Sequence, residues 1–405
     1  MFFRFLLLFI FLVQSALAFL STETNYREQA KVLKSLDINP TFMTDLLFIN
    51  MKENADRYRT KHFLRVLENG NRFIPVLRSM LKEAEVPDAF LYLAMAESNF
   101  APRAYSKARA AGIWQFMPYT GRKFGLTIDL YVDERRDPIK STEAAIKYLK
   151  YLHKRFGKWY LAAIAYNCGE GRVSKAIKRA RTDDLAVLLD RHKKYIPRES
   201  RIYIRKIMMM EHLSNSTDFI VGHDAGYLMN RGSTHTFAEV EVKGGTTLGS
   251  IADSVGMSLK EIKSYNPHLN YAFVPPRKGT YHIYIPYDKQ TLFAQNFDPK
   301  KDKGRFYVYK IKRGDSLYSI GKKYGVSYKV IKDFNRLKSN TLRINKKLVI
   351  PVLKPKTRRY TIKIGDTIGK LSRRFNVSVN QIMKLNKKKN STIVVGEKIV
   401  VPYVY

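Results

Sequence analysis

The chain has 405 residues and carries 73 Lys and Arg against 35 Asp and Glu, a formal net charge of +38. Its single cysteine, Cys168, excludes a disulfide framework and leaves no lipid-carrying cysteine near the N-terminus. In a cytosolic protein such a charge would indicate nucleic acid, whereas in an exported protein it favours an anionic polymer; a generally basic proteome is the remaining explanation. The length exceeds one ordinary domain, so we expect a main domain with smaller modules.

The first 18 residues predict a secretory signal peptide. They contain one arginine, an apolar run over residues 5–13 and the small-residue sequence Ala16-Leu17-Ala18, after which we expect cleavage. The alternative is an uncleaved membrane anchor, for which the run is short. No later stretch approaches the roughly 20 apolar residues of a membrane span, so we expect a soluble mature protein. Residues 19–80 predict an N-terminal helical region.

The sequence FLYLAMAESNF at residues 90–100 predicts an apolar helix with one carboxylate near its end. Glu97 shares a helical face with Leu93 and Ala94, where an ionised carboxylate is costly to bury. Such burial favours the neutral acid and raises its pKa, so the carboxyl can donate a proton near neutral pH. The alternative is a structural acid satisfied by a helix N-terminus or an arginine.

Three further polar blocks follow, each at the edge of an apolar helix. They are Gly112-Ile113-Trp114-Gln115-Phe116-Met117-Pro118, the sequence AYNCGEGRV at residues 165–173 and the sequence PRESRIY at residues 197–203. Together with Glu97-Ser98 they resemble the goose-lysozyme-like lytic transglycosylases of the SLT type, whose pattern is E-S, G-x-x-Q-x-M-P, A-Y-N-x-G and E-T/S-x-x-Y. Cys168 departs from this pattern, since alanine is usual there, and we expect it to be a small buried residue without a redox role.

The resemblance implies a mainly α, lysozyme-like catalytic domain that cleaves the MurNAc–GlcNAc β-1,4 bond of peptidoglycan without a metal or cofactor. Glu97 would be the catalytic acid, and the C6 hydroxyl of the muramic sugar would attack its own C1 to give a 1,6-anhydro product. The same resemblance implies that substrate is bound by Ser98, Gln115, Tyr166, Asn167 and Tyr203. By residue type alone, the two tyrosines could instead be core aromatics and the asparagine could shape a turn.

The number of acids near the site separates two reaction types. A hydrolase usually needs a second carboxylate. Glu170 begins a basic helix, Glu199 suits an ion pair, and Asp137 precedes Pro138 as a helix N-cap, so no block supplies an obvious partner for Glu97. A single acid favours a transglycosylase. The alternatives are a hydrolytic muramidase, which would use the same residues, and a non-catalytic peptidoglycan-binding protein.

The last hundred residues contain an internal repeat. Residues 309–351 align with residues 360–402 at an offset of 51 without a gap. Each copy predicts the order strand, helix, helix, strand and resembles the LysM module, a small α+β (βααβ) unit that binds N-acetylglucosamine-containing glycans. We expect each copy to be an independent module on a string.

The LysM resemblance implies that glycan is bound at the loop after each first strand, by Gly314, Asp315, Ser316, Leu317, Gly365, Asp366, Thr367 and Ile368. For the side chains of the two aspartates, helix N-capping is the alternative role. Residues 236–288 predict a degenerate third copy, in which Thr246 replaces the aspartate and about four residues are added before the last strand. Whether this copy binds glycan stays open.

The predicted organisation is a signal peptide at 1–18, an N-terminal helical region at 19–80, a catalytic domain at 81–215, the degenerate LysM-like module at 236–288, and LysM modules at 306–352 and 359–403. The expected partners are peptidoglycan glycan strands, and nucleic acid is not expected because a signal peptide argues against it. The positive charge is also compatible with association with the membrane surface. The resemblance and the signal peptide together imply the periplasm or cell envelope of a bacterium.

Overall fold

The computed structural model describes residues 27, 29–46, 48–49, 60–216, 220–222, 236–276, 279–298, 306–353, 356–375, 379–388 and 390–403. The predicted signal peptide lies outside these residues. Within them, no helix combines the length and the apolar character needed to cross a membrane. The described residues fall into two compact units: the first is drawn from Met1–Ile128 and Asp133–Thr236, and the second from Asp129–Val132 and Phe237–Tyr405.

The first unit is built from helices. Residues 29–35 are helical, and short 3-10 turns lie at Pro40–Thr44 and Glu134–Arg136. The longer elements are α1 (Thr60–Gly70), α2 (Ile74–Glu83), α3 (Ala89–Ser98), α4 (Pro118–Lys123), α5 (Pro138–Phe156), α6 (Trp159–Cys168), α7 (Glu170–Ala180), α8 (Leu185–Leu188) and α9 (Arg198–Asn215).

Helices α3 and α6 form the centre of this unit because they are apolar on nearly all sides. Residues 89–95 of α3 and residues 160–165 of α6 are buried. Helix α5 packs against α6, and α9 packs against α3. Asp137 begins α5 as predicted, since its carboxylate accepts hydrogen bonds from the backbone N–H groups of Ile139 and Lys140 at 2.9 and 3.0 Å.

The second unit contains three modules with the order strand, helix, helix, strand, which confirms the predicted βααβ class. In each module the two strands pair antiparallel. The elements of the LysM-like module are β1 (Phe237–Lys243), α10 (Leu248–Ser254), α11 (Leu259–Tyr265) and β2 (Thr280–Pro286), followed by α12 (Gln290–Asn296). The first repeat has β3 (Phe306–Lys310), α13 (Leu317–Tyr324), α14 (Tyr328–Phe334) and β4 (Lys347–Leu353). The second has β5 (Lys356–Thr361), α15 (Ile368–Arg374), α16 (Val379–Leu385) and β6 (Lys398–Tyr403).

One asparagine at the end of the second helix fastens that helix to the last strand in all three modules. In the first repeat, Asn335 donates to the carbonyl oxygens of Ile331 and Val349 and accepts from the N–H of Val349. Asn386 and Asn266 make the same three hydrogen bonds in the other modules. The recurrence of asparagine in the repeat therefore has a structural cause, since its amide satisfies a carbonyl and an N–H of the strand together.

The first repeat is not an independent module, and that expectation is wrong. Its buried side chains belong to the same hydrophobic core as those of the LysM-like module. The ring of Phe273 lies 5.5 Å from that of Phe306 and 5.6 Å from that of Phe334, as measured between ring centroids. The second repeat has a hydrophobic core of its own, built around Leu371, Ile382 and Val401.

Candidate active site

The helix that carries Glu97 stops directly after the acid. Asn99 adopts a left-handed conformation (φ 53°) and its N–H donates to the carbonyl of Met95, which terminates α3 at Ser98. The Ser98 hydroxyl donates to the carbonyl oxygen of Ile113 at 2.8 Å. The end of α3 is thereby tied to the Gly112–Pro118 loop, which brings two of the four sequence blocks together.

A third block reaches Glu97 from α9. The Tyr203 hydroxyl donates to Oε1 of Glu97 at 2.6 Å, and Tyr203 is buried. Burial raises the pKa of the Glu97 carboxyl, the hydrogen bond from Tyr203 and the charge of Lys206 act to lower it, and the charge of Glu199 adds to the rise. Because burial is the largest of these influences, the neutral acid is favoured over a wider pH range than for an exposed glutamate.

Tyr166 links the site to the buried indole of the loop. Its hydroxyl donates to the backbone carbonyl of Trp114 at 2.7 Å, while the indole N–H of Trp114 donates to the Thr142 hydroxyl at 2.8 Å. Burial first, and the nearby Glu97 charge second, raise the pKa of Tyr166 well above its usual value. Tyr166 is therefore neutral at physiological pH and lies within electrostatic range of Glu97.

Asn167 is held by a residue that sequence reasoning did not single out. The Ser200 hydroxyl donates to Oδ1 of Asn167 at 2.6 Å, and Ser200 is buried. Within the described part of the chain, the Asn167 Nδ2 group has no hydrogen-bond partner, so both of its N–H donors can serve a ligand. The neighbouring Cys168 is half-buried rather than buried as expected, and burial raises the pKa of its thiol.

The Gly112–Pro118 loop has a conformation that only glycine permits at its first position. Gly112 has φ 84°, and a Cβ added there would lie 1.6 Å from the carbonyl oxygen of Arg135. Gln115 also has a positive φ of 47°, and its Nε2 donates to the Gly112 carbonyl at 2.8 Å. The Gln115 amide therefore closes its own loop and keeps Oε1 as an acceptor.

The buried side chain of Arg135 holds this loop through hydrogen bonds to backbone carbonyl groups. Arg135 donates to the carbonyl oxygens of Arg109 and Phe116 at 2.6 and 3.1 Å and forms an ion pair with Asp133 at 2.8 Å. Sequence reasoning missed this pair, because both residues lie in the charged run DERRD, which predicts an exposed segment. The spacing Asp-x-Arg beside a helix N-cap was the available signal.

Glu170 and Glu199, the other glutamates considered as partners for Glu97, do not form a hydrogen bond with it among the described residues. Oε2 of Glu170 is 3.8 Å from Nε of Arg155. Glu199 is exposed, and among the described residues it forms no ion pair, contrary to the expectation. Its charge nevertheless acts on Glu97 and raises the pKa of that carboxyl.

In the LysM repeats the two aspartates do not cap helices, and that interpretation is wrong. Asp315 accepts from the Lys312 N–H at 2.7 Å and from the Tyr309 hydroxyl at 2.8 Å, and Asp366 repeats both bonds with Lys363 and Tyr360. The N-caps are the next residues, Ser316 and Thr367. These hydrogen bonds, the one from the backbone first, lower the pKa of both aspartates.

The remaining predicted LysM contacts differ in what they can offer. Gly314 and Gly365 have φ of 83° and 82°, and their loops are exposed. Leu317 and Ile368 are buried in their modules, so only their backbone groups could reach a glycan.

The equivalent loop of the LysM-like module is covered by its own chain. Thr246 is buried, its carbonyl accepts from the Val274 N–H at 3.0 Å, and the Leu248 N–H donates to the Ala272 carbonyl at 2.9 Å. The residues added before the last strand thus cover the backbone that the two repeats leave exposed.

Family models match most of the chain after residue 75. The Transglycosylase SLT domain matches residues 76–188, the LysM-like domain of lytic transglycosylase MltD matches residues 236–302, and the LysM domain matches residues 309–351 and 360–402. The chain therefore contains a transglycosylase SLT domain, a LysM-like domain of the MltD type and two LysM domains, which confirms the resemblance inferred from the four blocks and the repeat.

The chain is also similar to individual proteins. The chain is 29% identical over 368 residues to the membrane-bound lytic murein transglycosylase D of Escherichia coli (strain K12), covering 83% of this chain and 78% of the relative. It is 34% identical over 87 residues to the cell wall-binding protein YocH of Bacillus subtilis, covering 21% of this chain and 30% of that protein. Among solved structures, the 70 kDa soluble lytic transglycosylase of Escherichia coli matches with 25% identity over 34% of this chain and 23% of that chain, at a TM-score of 0.28.

Proposed function

We propose that the protein is a peptidoglycan lytic transglycosylase that cleaves the MurNAc–GlcNAc β-1,4 bond, with Glu97 as the acid and then the base. The carboxyl protonates the glycosidic oxygen as the bond to C1 of the muramic sugar breaks. The resulting carboxylate then accepts the proton of the C6 hydroxyl while that oxygen bonds to C1. No water is consumed, and the carboxyl ends in its starting protonation state.

The observation that carries this proposal is the environment of Glu97. Burial raises the pKa of its carboxyl, while the 2.6 Å hydrogen bond from Tyr203 stabilises the ionised form that follows proton donation. An acid of this kind serves both half-reactions, since general acids and bases work best with a pKa near the operating pH.

The remaining site residues bind and position substrate in this proposal. The free Nδ2 of Asn167 suits an acetamido carbonyl, because its Oδ1 is already held by Ser200. Gln115 can offer Oε1 to a sugar hydroxyl. Ser98 donates its proton to Ile113 and so can only accept from substrate, and Tyr166 holds the loop beside Glu97.

The modules would hold the enzyme on the wall. We infer that the catalytic domain spans residues 81–215 after the helical region at 19–80, and that the LysM modules at 306–352 and 359–403 bind glycan while the module at 236–288 does not, because its loop is covered. The relationship to a membrane-bound murein transglycosylase supports a location in the cell envelope. We further propose that the signal peptide at 1–18 directs the protein to the periplasm, where its charge of +38 favours anionic surfaces, including that of the membrane.

The test is solubilisation of purified sacculi by the full-length protein and by Glu97→Gln. The amide matches the acid in size but cannot donate the proton, so we expect activity to fall by about 10²–10⁴-fold in a folded protein. Glu170→Gln and Glu199→Gln are matched controls that should retain much more activity. Near-wild-type activity of Glu97→Gln would overturn the assignment.

The Glu199 control also tests the second candidate, a hydrolytic muramidase. Its charge acts on Glu97, which is what a water-activating carboxylate would require. A loss at Glu199→Gln equal to that at Glu97→Gln would favour hydrolysis.

A further inference from the structure

The two LysM repeats differ at two equivalent exposed positions. At the offset of 51, Arg313 corresponds to Ile364, and Arg343 corresponds to Val394. Arg313 and Ile364 precede the Gly-Asp turn of their repeats, and Arg343 and Val394 precede the last strand. The residues that follow Arg343 and Val394, which are Ile344 and Val395, are apolar in both copies.

These positions lie on two loops that the backbone holds side by side. In the first repeat, the Ile311 N–H donates to the Lys346 carbonyl at 3.0 Å and the Asn345 N–H donates to the Ile311 carbonyl at 2.9 Å. In the second repeat, Ile362 makes the corresponding bonds with Glu397 and Gly396, both at 2.9 Å. In each repeat, the position before the Gly-Asp turn and the position before the last strand therefore flank one surface at the same end of the module.

The second repeat exposes an apolar rim formed by Ile364, Val394 and Val395. Their exposed fractions are 90%, 66% and 58%. Apolar side chains that are exposed to this extent on two adjoining loops make this rim a candidate binding surface. The nearby Glu397 carboxylate forms an ion pair with Lys388, in which Nζ of Lys388 lies 2.8 Å from Oε1 of Glu397.

The first repeat exposes a cationic rim formed by Arg313, Arg343 and Lys346. Within the described part of the chain, no side-chain hydrogen bond or ion pair engages either arginine. Lys346 takes the place of Glu397, so the difference in charge between the two rims extends to a third position. Guanidinium groups without partners suit carboxylates, which they can bind through two parallel hydrogen bonds.

We propose that the two repeats bind different parts of the same polymer: the cationic rim binds the carboxylates of peptidoglycan, and the apolar rim binds its uncharged acetylated sugars. The proposal rests on the proposed function for the identity of the polymer. Arg313 and Arg343 are then specificity residues of the first repeat, and Ile364 and Val394 are those of the second. Binding by the first repeat depends on salt, whereas binding by the second persists at high salt because burial of apolar surface is not screened.

The test uses the full-length protein in the Glu97→Gln background, so that ligand is not consumed. Affinity is measured at low and high salt for intact sacculi, for sacculi whose carboxylates have been amidated with a carbodiimide, and for chitin. Amidation removes carboxylates and leaves any phosphate, so the two anion sources are distinguished. The variants are Arg313→Gln with Arg343→Gln, and Ile364→Ser with Val394→Ser. Lys322→Gln with Lys329→Gln removes two exposed charges from the same repeat away from the rim.

We expect the arginine variant to lose about three- to tenfold in affinity for intact sacculi at low salt, as two exposed ion pairs imply, and to change little on amidated sacculi or chitin. The Ile364/Val394 variant should lose affinity for all three ligands at both salt levels. Equal losses in the Lys322/Lys329 control, or equal losses of the arginine variant on amidated sacculi, would overturn the role of the cationic rim. Binding to anionic lipid vesicles that disappears with the Ile364/Val394 variant, together with unchanged binding to chitin, would overturn the role of the apolar rim.

The failure of this proposal is distinguishable from failure of the proposed function. If no variant alters binding and Glu97→Gln still abolishes cleavage, the division between the repeats is wrong and the enzyme assignment stands. If Glu97→Gln keeps full activity, the enzyme assignment fails whatever the rims bind.

Discussion

The hydroxyl of Tyr203 donates a 2.6 Å hydrogen bond to Oε1 of Glu97, and this contact opposes the effect of burial on the same carboxyl. Burial raises the pKa of Glu97, and the hydrogen bond from Tyr203 is the largest of the influences that lower it. The neutral form that donates the proton is thereby favoured, and the carboxylate that remains afterwards is stabilised. Catalysis requires interactions that grow stronger as the reaction proceeds, and this hydrogen bond is of that kind.

Replacing Tyr203 by phenylalanine should raise the pKa of Glu97 and slow the reaction. Loss of a hydrogen bond to a charged group lowers kcat by about tenfold, because the carboxylate formed in the first step is less stable. The alkaline limb of the kcat/KM profile should move to higher pH. Tyr195→Phe is a control, since within the described residues the Tyr195 hydroxyl has no hydrogen bond. An alkaline limb that does not move would show that Glu97 does not control it.

The half-buried Glu97 carboxyl should cost stability at neutral and alkaline pH. The folded-state pKa of Glu97 lies above the unfolded value, so the folded protein binds the proton more tightly and loses stability as pH rises from the unfolded pKa through the folded one. Glu97→Gln removes this dependence. Its Tm should exceed that of the wild type by more at pH 8 than at pH 4, on the scale where about 1.4 kcal/mol corresponds to one pKa unit. A Tm difference that is the same at both pH values would contradict the burial of this carboxyl. Glu68→Gln is the control, since Glu68 is exposed and its charge is not among the influences on Glu97, and it should show no such trend.

Gly112→Ala should disrupt the loop that carries Gln115. The added Cβ would lie 1.6 Å from the Arg135 carbonyl oxygen, and the backbone has φ 84°. Steric conflict with backbone at a positive φ costs more than about 1 kcal/mol, so both Tm and activity should fall. Gly171→Ala is a matched control, because no atom lies within 4 Å of its added Cβ. Equal thermal stability of the two variants would show that the loop conformation is not required.

Two truncations should separate wall binding from domain stability. A chain that ends at residue 355 loses the second repeat, whose core is separate, and should keep the Tm of the rest. A chain that ends at residue 305 lacks Phe306 and Phe334, two of the aromatic partners of Phe273, and should melt at lower temperature. Both should bind sacculi more weakly while cleaving short soluble glycans at the wild-type rate, because tethered weak sites help only on a polymer. Undiminished binding by both truncations would mean that the repeats do not hold the enzyme on the wall.

The sequence predicted those features that local patterns determine. The apolar helix with Glu97, the Asp137 cap and the βααβ order of the repeats each follow from periodicity, capping chemistry or turn residues within a short window. That Ser316 and not Asp315 caps the helix could not be predicted in this way. The reason is that the role of Asp315 depends on where the Tyr309 hydroxyl lies in the folded turn. The carbonyl partners of the buried Arg135, at Arg109 and Phe116, could not be predicted either, because they are backbone groups distant in sequence.

The shared core of the LysM-like module and the first repeat has a similar explanation. Phe273, Phe306 and Phe334 lie on segments that each look sufficient for a small module. Only their three-dimensional arrangement shows that they pack together. The covered loop around Thr246 was visible in the sequence as added residues, but the hydrogen bonds that cover it were not.

Mass spectrometry of the fragments that the full-length enzyme releases from purified peptidoglycan tests the proposed transglycosylase mechanism most directly. If Glu97 acts alone and the C6 hydroxyl is the nucleophile, the muramic ends of the products carry the 1,6-anhydro mass, one water lighter than a reducing end, and Glu97→Gln releases none. Performing the digestion in H₂¹⁸O should leave those ends unlabelled. Products that carry reducing ends labelled with ¹⁸O would show that water is the nucleophile and would contradict the transglycosylase mechanism.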